Sequence, residues 1–296
     1  MKVFVTGASG GIGSRLVPEL LAAGHEVLGL ARSDAAAQVI AAAGAGVLRG
    51  ELTDRDSLRA GASESEAVIH VAFDHGHDIA RSVADEAHAV ETLGAALEGS
   101  GKVLVIASGT PIVPGRPSTE HDSQTAGPIA NSPLGRRGQS AQYVLELADR
   151  DVRSAVVRLP RSVHQRGHRY GFASALIATA RKTGVSGYVG NGDQRWPAVH
   201  HLDAVRLFRL VLEQARPGTV AHAVADEGDP MRALAEAIGR QLGVPTTPVP
   251  AEHFGAAGAI YALDQPASSE LTRDTFGWRP THPSLLDDLE AGNYPQ

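Results

Sequence analysis

The stretch that most constrains what this chain can fold into is its first thirteen residues, MKVFVTGASGGIG. Lys2-Val3-Phe4-Val5 is a short apolar, β-branched run of the kind a buried parallel strand needs. It breaks at Thr6-Gly7 and reads as helical by Ile12. Glycines stand at Gly7, Gly10, Gly11 and Gly13. Gly7 allows a tight turn, Gly10 lets the backbone approach a diphosphate, and Gly13 lets a helix pack close to the strand. The free N–H groups and the dipole of the first helical turn then face the anion. A tight strand-to-helix turn with no ligand is the plainer alternative. The context favours the cradle, because a clean strand precedes the loop and an amphipathic helix follows it.

The rest of the chain continues the alternation. Leu16, Leu20 and Leu21 recur at helical spacing, Pro18 is expected within about the first turn, and Gly24 ends the helix. His25 to Ala31 reads as a second strand, Val47 to Gly50 as a third, Ala67 to Ala72 as a fourth and Lys102 to Ala107 as a fifth. Helices are expected over 35–43, with Asp34 as its cap, near 56–60, capped by Thr53 or Asp54, and over 78–97. This pattern predicts an α/β Rossmann fold, a doubly wound parallel sheet with ligands at the C-terminal strand ends. Residues 111–137 are rich in Pro, Gly, Ser and Thr, a loop long enough to be functional or mobile. A helix over 139–149 and a strand over 152–159 follow. Beyond them come a polar loop at 167–172, a helix over 173–183, a strand over 185–189, a helix over 202–214, and helical stretches near 230–242 and 285–289.

We therefore expect a dinucleotide-binding core over 1–160, with 185–225 returning to it, and a small C-terminal α+β substrate lobe from 161–184 and 226–296. The 296 residues suffice for such a core without staples. Cysteine is absent, which excludes a disulfide frame, a thiolate metal site and a cysteine nucleophile. The net charge is −6 with scattered basic residues, which argues against nucleic acid or an anionic membrane as partner. The chain enters a strand at once and holds no apolar run of spanning length, so a soluble, cytoplasmic monomer or homodimer acting on a small molecule is expected.

The tip of the second strand discriminates between dinucleotides. An acidic residue there suits a ribose 2′-OH, whereas a basic one accommodates a 2′-phosphate. Here the tip is Arg32-Ser33, a guanidinium and a hydroxyl, both donors to phosphate oxygens. NADP(H) is therefore favoured, with NAD(H) as the alternative.

Several segments together resemble the extended short-chain dehydrogenases/reductases, the NAD(P)-dependent epimerase/dehydratase-like superfamily. They are TGASGGIG at Thr6 to Gly13, VIHVA at Val68 to Ala72, VLVIASGT at Val103 to Thr110, VVRLPRSVH at Val156 to His164 and WPAVHHLDAVRLF at Trp196 to Phe208. The resemblance implies cofactor contacts from Gly7, Ser9, Gly10, Gly11, Ile12 and Gly13, from Arg32 and Ser33, and from Glu51 and Leu52 at the adenine. It also implies contacts from Val71, Ala72 and Phe73 along the dinucleotide, from Ser108, and from Pro160 to Val163 near the nicotinamide. At Glu51 the family commonly has Asp.

The catalytic centre departs from the family pattern. The family places a Ser/Thr after the fifth strand and a Tyr-x-x-x-Lys on the next helix, where the lysine lowers the tyrosine pKa and the tyrosine moves a proton at the substrate oxygen. The hydroxyl position falls on Thr110, with Ser108 just before it. The Tyr-x-x-x-Lys position falls at Leu134 to Gly138, LGRRG. Tyr143 is followed four residues on by Leu147 and reads as a packing residue. The chain thus resembles an atypical member, and three consequences compete: hydride transfer with a substitute proton donor, a catalytically silent NAD(P)-binding regulator, or a non-redox epimerase- or isomerase-like activity. Candidates for the substitute are His75, His77, His164, His168 and Tyr170, with His164 carried forward among thirteen histidines. Arg136 or Arg137 can replace the lysine as a fixed charge but not as an acid. The adjacent His200 and His201 point in different directions, so no metal site is expected. No G-x-S-x-G supports hydrolase chemistry.

Overall fold

A computed structural model describes residues 1–74, 78–132, 134–167 and 171–292. Among them the strands β1 (Lys2–Thr6), β2 (Glu26–Ala31), β3 (Gly46–Arg49), β4 (Ala67–His70), β5 (Val103–Gly109) and β6 (Arg153–Leu159) join a late strand in one parallel sheet. The order is late strand, β6, β5, β4, β1, β2, β3, so the strand sequence reverses between β1 and β4. That reversal opens the crevice in which doubly wound sheets bind ligands. Val3, Phe4 and Val5 of β1 have no exposed surface, which is what a strand covered on both faces requires.

Helices α1 (Gly13–Ala22), α2 (Asp34–Ala42), α3 (Arg55–Glu64), α4 (Ile79–Leu97) and α5 (Arg137–Glu146) connect the strands. They divide the apolar side chains into one layer on each face of the sheet. Pro18 sits at the sixth position of α1, past the first turn where it was expected, and leaves the Ser14 carbonyl without its helical N–H. Gly24 follows α1 with φ +83°, the left-handed residue that ends it. The cap of α2 is Ser33 rather than Asp34, because the Ser33 hydroxyl accepts from Ala36 N–H at 3.2 Å. Asp34 instead pairs with Arg49 at 2.9 Å. Asp54 caps α3, accepting from Asp56 and Ser57 N–H.

The second half builds the lobe. It contains β7 (Ser162–His164), α6 (Phe172–Thr183), β8 (Ser186–Val189) and β9 (Arg195–His200). Helix α7 (His201–Gln214) and β10 (Thr219–His222) then return to the core, where β10 is the late strand beside β6. The lobe resumes with β11 (Asp226–Pro230), α8 (Met231–Leu242) and β12 (Thr246–Val249), and closes with α9 (Gly258–Tyr261), α10 (Glu270–Phe276) and α11 (Leu285–Glu290). Strands β11, β9 and β7 form a three-stranded sheet, and β12 pairs with β8. Within 185–225, expected to return to the core, α7 and β10 do so, while β8 and β9 lie in the small sheets. A separate apolar cluster centres on Trp196, Met231, Leu234, Ile238 and Tyr261, with the Trp196 and Tyr261 rings stacked at 5.1 Å.

Buried polar groups tie the two halves together. Asp203, fully buried in the first turn of α7, accepts from Thr281 N–H (3.1 Å), His282 N–H (3.0 Å) and His282 Nδ1 (2.9 Å). The long 111–137 loop is pinned rather than loose. Arg116 and Asp122 form a two-pronged ion pair, and buried Glu120 accepts from Thr272 N–H and Oγ1. His164 bonds Asp288 at 2.8 Å and meets His200 edge-on, and His200 stacks on His282 at 4.7 Å. Among the described residues, no helix is long and apolar enough to cross a membrane.

Two outcomes follow from this buried polarity. Asp203→Ala strips the acceptor from three N–H donors and removes a carboxylate from a helix N-terminus, which costs about 3 kcal/mol in a urea melt. A loss below about 1 kcal/mol contradicts that role. The second outcome concerns acid. Burial first, then Arg137, lowers the His70 pKa to about 3. Burial dominates in lowering His200 and His222 to about 4 and in lowering His164. Their folded values lie below the unfolded value of about 6.5, so the unfolded chain binds more protons and stability falls as pH drops from about 6.5 toward 4. Burial raises Asp229 to about 6 and also raises Asp226, which opposes the trend with fewer groups. His70 alone costs about 2 kcal/mol at pH 5. The melting temperature at pH 5 is therefore lower than at pH 7, and an equal or higher value contradicts the assignment.

Candidate functional site

The site begins where β1 turns into α1. Gly7 has φ +72°, and a Cβ there would lie 2.7 Å from the Cα and N of Ala72. The β1–α1 turn thus rests directly on the backbone leaving β4. A Cβ at Gly13 would lie 2.0 Å from the Gly7 carbonyl oxygen, so α1 approaches as closely as glycine permits. Gly10 N–H closes the loop on the Gly7 carbonyl at 2.9 Å. Ile12, at the helix N-cap, offers no side-chain cap. Ser9 and Ile12 are half-buried, while Gly10 and Gly11 are exposed at the rim. The result is a concave stretch of backbone with no side chain filling it, ending in an uncapped helix start. That is the shape and polarity a diphosphate requires.

The other expected contacts line the same edge of the sheet. At the end of β2 the Arg32 side chain is 71% exposed, with Asp74 at 3.9 Å. Ser33 spends its oxygen on Ala36 N–H, which leaves its hydroxyl hydrogen free to donate. Beyond β3, Glu51 is exposed and accepts from the Thr53 hydroxyl at 2.9 Å, and Leu52 packs against the core layer under α3 and α4. Beyond β4, Val71 N–H bonds the Thr6 carbonyl, Ala72 backs Gly7, and Phe73 lies 4.2 Å below the Arg137 guanidinium. Pro160 is buried at the end of β6, and Val163 packs on the core beside α7.

The reaction end of the crevice is formed by β5, β6 and α5. Thr110 N–H bonds the Leu159 carbonyl at 3.0 Å and locks the two strand ends together. Ser108 is buried, and its hydroxyl accepts from Gln124 Nε2 at 3.0 Å. The same amide bonds the Gly109 carbonyl. Gly138, at the position matched to the family lysine, is buried, and a Cβ there would sit 2.6 Å from the Gln124 carbonyl oxygen. The 111–137 loop therefore occupies the space from which a lysine would project. Arg137, one residue earlier, reaches the crevice instead. It forms a two-pronged pair with Glu86 of α4 at 2.7 and 2.6 Å and approaches the Ala107 carbonyl. Arg136 lines the groove between α4 and α5. Tyr143 packs on Gly94 of α4, as a packing residue does.

His164 does not join this group. It is buried, its Nδ1 is bonded to Asp288, and burial lowers its pKa, so it serves the junction with the lobe. Among the described residues, no hydrogen bond links it to Ser108 or Thr110. His200 accepts from Leu202 N–H and caps α7. His75, His77, His168 and Tyr170 lie outside the described residues.

Two residues at the crevice were not singled out from sequence. Glu86 interrupts the apolar stripe Val83–Val90–Leu93 of α4, and a carboxylate on a buried stripe is the signal that betrays it. Gln124 arrives from the long loop with no local pattern. Arg161, within the Pro160 to Val163 stretch expected near the nicotinamide, stands two residues past the end of β6.

Comparison with known proteins agrees with this geometry. Residues 3–224 match the NAD dependent epimerase/dehydratase family. An uncharacterized protein of Schizosaccharomyces pombe is 40% identical over 301 residues, covering 99% of this chain and all of that protein. A 2′-dehydrokanamycin reductase of Streptomyces kanamyceticus is 26% identical over 303 residues, covering 100% of this chain and 80% of the reductase. Among solved structures, the UDP-glucose 4-epimerase of Thermus thermophilus in complex with NAD superposes with a TM-score of 0.73 at 20% identity, over 98% of this chain and 97% of that one. With a family match spanning both the glycine cradle and the strand ends that face it, the chain belongs to the NAD-dependent epimerase/dehydratase family.

Proposed function

We propose that the protein is an NADP(H)-dependent oxidoreductase acting on a small carbonyl or alcohol, with a proton donor other than the family tyrosine. The observation that carries this reading is the cradle itself: a glycine-rich turn, an uncapped helix start and a basic rim at Arg32. The amides of the loop hold the diphosphate. Arg32 and Ser33 meet a 2′-phosphate, since the guanidinium is mostly exposed and the Ser33 hydroxyl keeps a hydrogen to donate. The likeness to a reductase over the whole chain supports redox chemistry rather than epimerisation.

The bound cofactor supplies the hydride. Thr110 is half-buried at the end of β5, and among the described residues its hydroxyl has no hydrogen bond. It is the group placed to bond the substrate oxygen. Ser108 is already engaged by Gln124 and supports the strand end. Arg137, held by Glu86, contributes the fixed positive charge that lysine supplies elsewhere in the family, but a guanidinium does not give up its proton. The proton consumed in reduction comes from water through the Thr110 hydroxyl. Held by the loop amides, Arg32 and Ser33, NADPH would supply the hydride that, with this proton, turns a carbonyl into an alcohol.

The contact between Gln124 and Ser108, with the Gln124 backbone closing position 138, supports one second reading, a catalytically silent NADP-binding regulator. Steady-state NADPH oxidation against a broad carbonyl panel, with cofactor affinity measured in parallel, separates the two. Tight NADPH binding with no turnover of any compound favours the regulator. Arg32→Ala weakens NADPH at least tenfold and leaves NADH nearly unchanged, by the loss of a charge-assisted phosphate contact. If the NADPH-to-NADH preference does not move, the NADP assignment fails. Thr110→Ala lowers kcat by about a hundredfold with unchanged NADPH affinity, the scale of one lost donor to a developing oxyanion. Unchanged turnover removes Thr110 from the mechanism.

A further inference from the structure

The most informative group outside the machinery described so far is Arg161. It leaves β6 two residues after Leu159, whose carbonyl holds Thr110 N–H, so it rises from the strand end adjoining the proposed reaction centre. Among the described residues its one hydrogen bond runs from Nε to Gln265 Oε1 at 3.0 Å, and its guanidinium lies 5.8 Å from the Phe172 ring. Both partners are neutral. The charge that acts on it is the like-signed Arg137 guanidinium, and burial together with that repulsion lowers its pKa to about 10.

Several other arginines withdrawn from solvent have a carboxylate beside them. Arg137 has Glu86, Arg195 has Asp264, Arg209 has Glu19 and Glu213, and Arg158 is stabilised by Glu120. A guanidinium withdrawn from water without a counter-charge is costly unless something completes it. Gln265 strengthens the point. Its side chain is 3% exposed, its oxygen is committed to Arg161, and its Nε2 is buried without an acceptor. Its own N–H is fixed to the Arg195 carbonyl of β9, so the amide is held in place by the lobe sheet. Among the described residues, a cation whose two Nη groups have no hydrogen-bond acceptor stands beside an amide donor that also lacks one.

We infer that Arg161 and Gln265 form the anchor for a carboxylate on the substrate, so that the protein acts on oxo acids or the corresponding hydroxy acids. This inference rests on the oxidoreductase reading above and names its substrate class. The surplus at the site is a single positive charge, because Glu86 already neutralises Arg137. A monoanion matches it, and a phosphate dianion does not. The neighbouring wall is aromatic: Phe172 meets both Trp196 and Tyr261 edge-on. A carboxylate carried on a short, partly apolar skeleton fits that combination. With the carboxylate at Arg161 and the oxo group at Thr110, the substrate is held at two points, which fixes the face presented for reduction.

The test uses the full-length protein with NADPH and matched pairs: straight-chain 2-, 3- and 4-oxo monocarboxylates and their methyl esters. The expected result is kcat/KM at least tenfold higher for the best acid than for its ester, carried mainly by KM. That preference falls below twofold in Arg161→Gln and is partly kept in Arg161→Lys. Calorimetric titration of the NADP⁺-loaded protein with the same acids and esters gives a second readout, with acid binding at least tenfold tighter and lost in Arg161→Gln. Turnover of esters or neutral aldehydes as well as acids, or an acid preference that survives Arg161→Gln, overturns the carboxylate anchor while leaving the oxidoreductase reading intact. Acid binding that depends on Arg161, with no turnover of any compound, sinks the oxidoreductase reading and keeps the anchor. Absence of selective acid binding and of acid turnover overturns the anchor outright.

Discussion

The contact on which the rest of the structure depends is backbone against backbone: Gly7 on Ala72, with Gly13 on the Gly7 carbonyl. Hydrogen in place of a side chain at these two positions lets β1, α1 and the exit of β4 converge within van der Waals range. The convergence positions the first turn of α1 over the reversal in strand order, where the sheet opens. Every other element at the crevice is referred to that point. The ends of β2 and β3 lie on one side of it, and the ends of β5 and β6 on the other. The lobe is joined to the core through β6 and α7.

The electrostatics of the reactive side are built around arginine rather than lysine. Glu86 reaches from α4 to hold Arg137 against Phe73, and the pinned 111–137 loop fills the space beside Gly138. These features are coupled. The loop is held down by Glu120, Thr272 and the Arg116–Asp122 pair, and only a loop held there presents Gln124 to Ser108. This edge of the crevice is thus assembled from residues distant in sequence, with the charge of Arg137 balanced by Glu86 and Arg161 left with neutral hydrogen-bond partners among the described residues.

Much of the fold was legible in the sequence because it is locally encoded. Apolar β-branched runs of four to seven residues alternate with helical stripes, and such alternation admits essentially one sheet topology. The glycine cradle and the strand-end positions were legible for the same reason. The less legible parts depend on distant partners. Ser33 outcompetes Asp34 as a cap because Arg49, fifteen residues on, draws the carboxylate away. Strands β8 and β9 read as ordinary strands, and only their pairing with β12, β7 and β11 assigns them to the lobe. His164 looked like a candidate acid by its place at a strand end, yet its partner Asp288 lies 124 residues away and no local pattern announces it. Gln265 is invisible by the same logic.

The most direct measurement is a crystal structure of the protein with NADPH. The account predicts the diphosphate against the N–H groups of residues 11–13, the 2′-phosphate within hydrogen-bond distance of Arg32 and Ser33, and the nicotinamide facing Thr110. A dinucleotide bound elsewhere, or one whose nicotinamide is held away from Thr110 with the 2′-phosphate free in solvent, contradicts it.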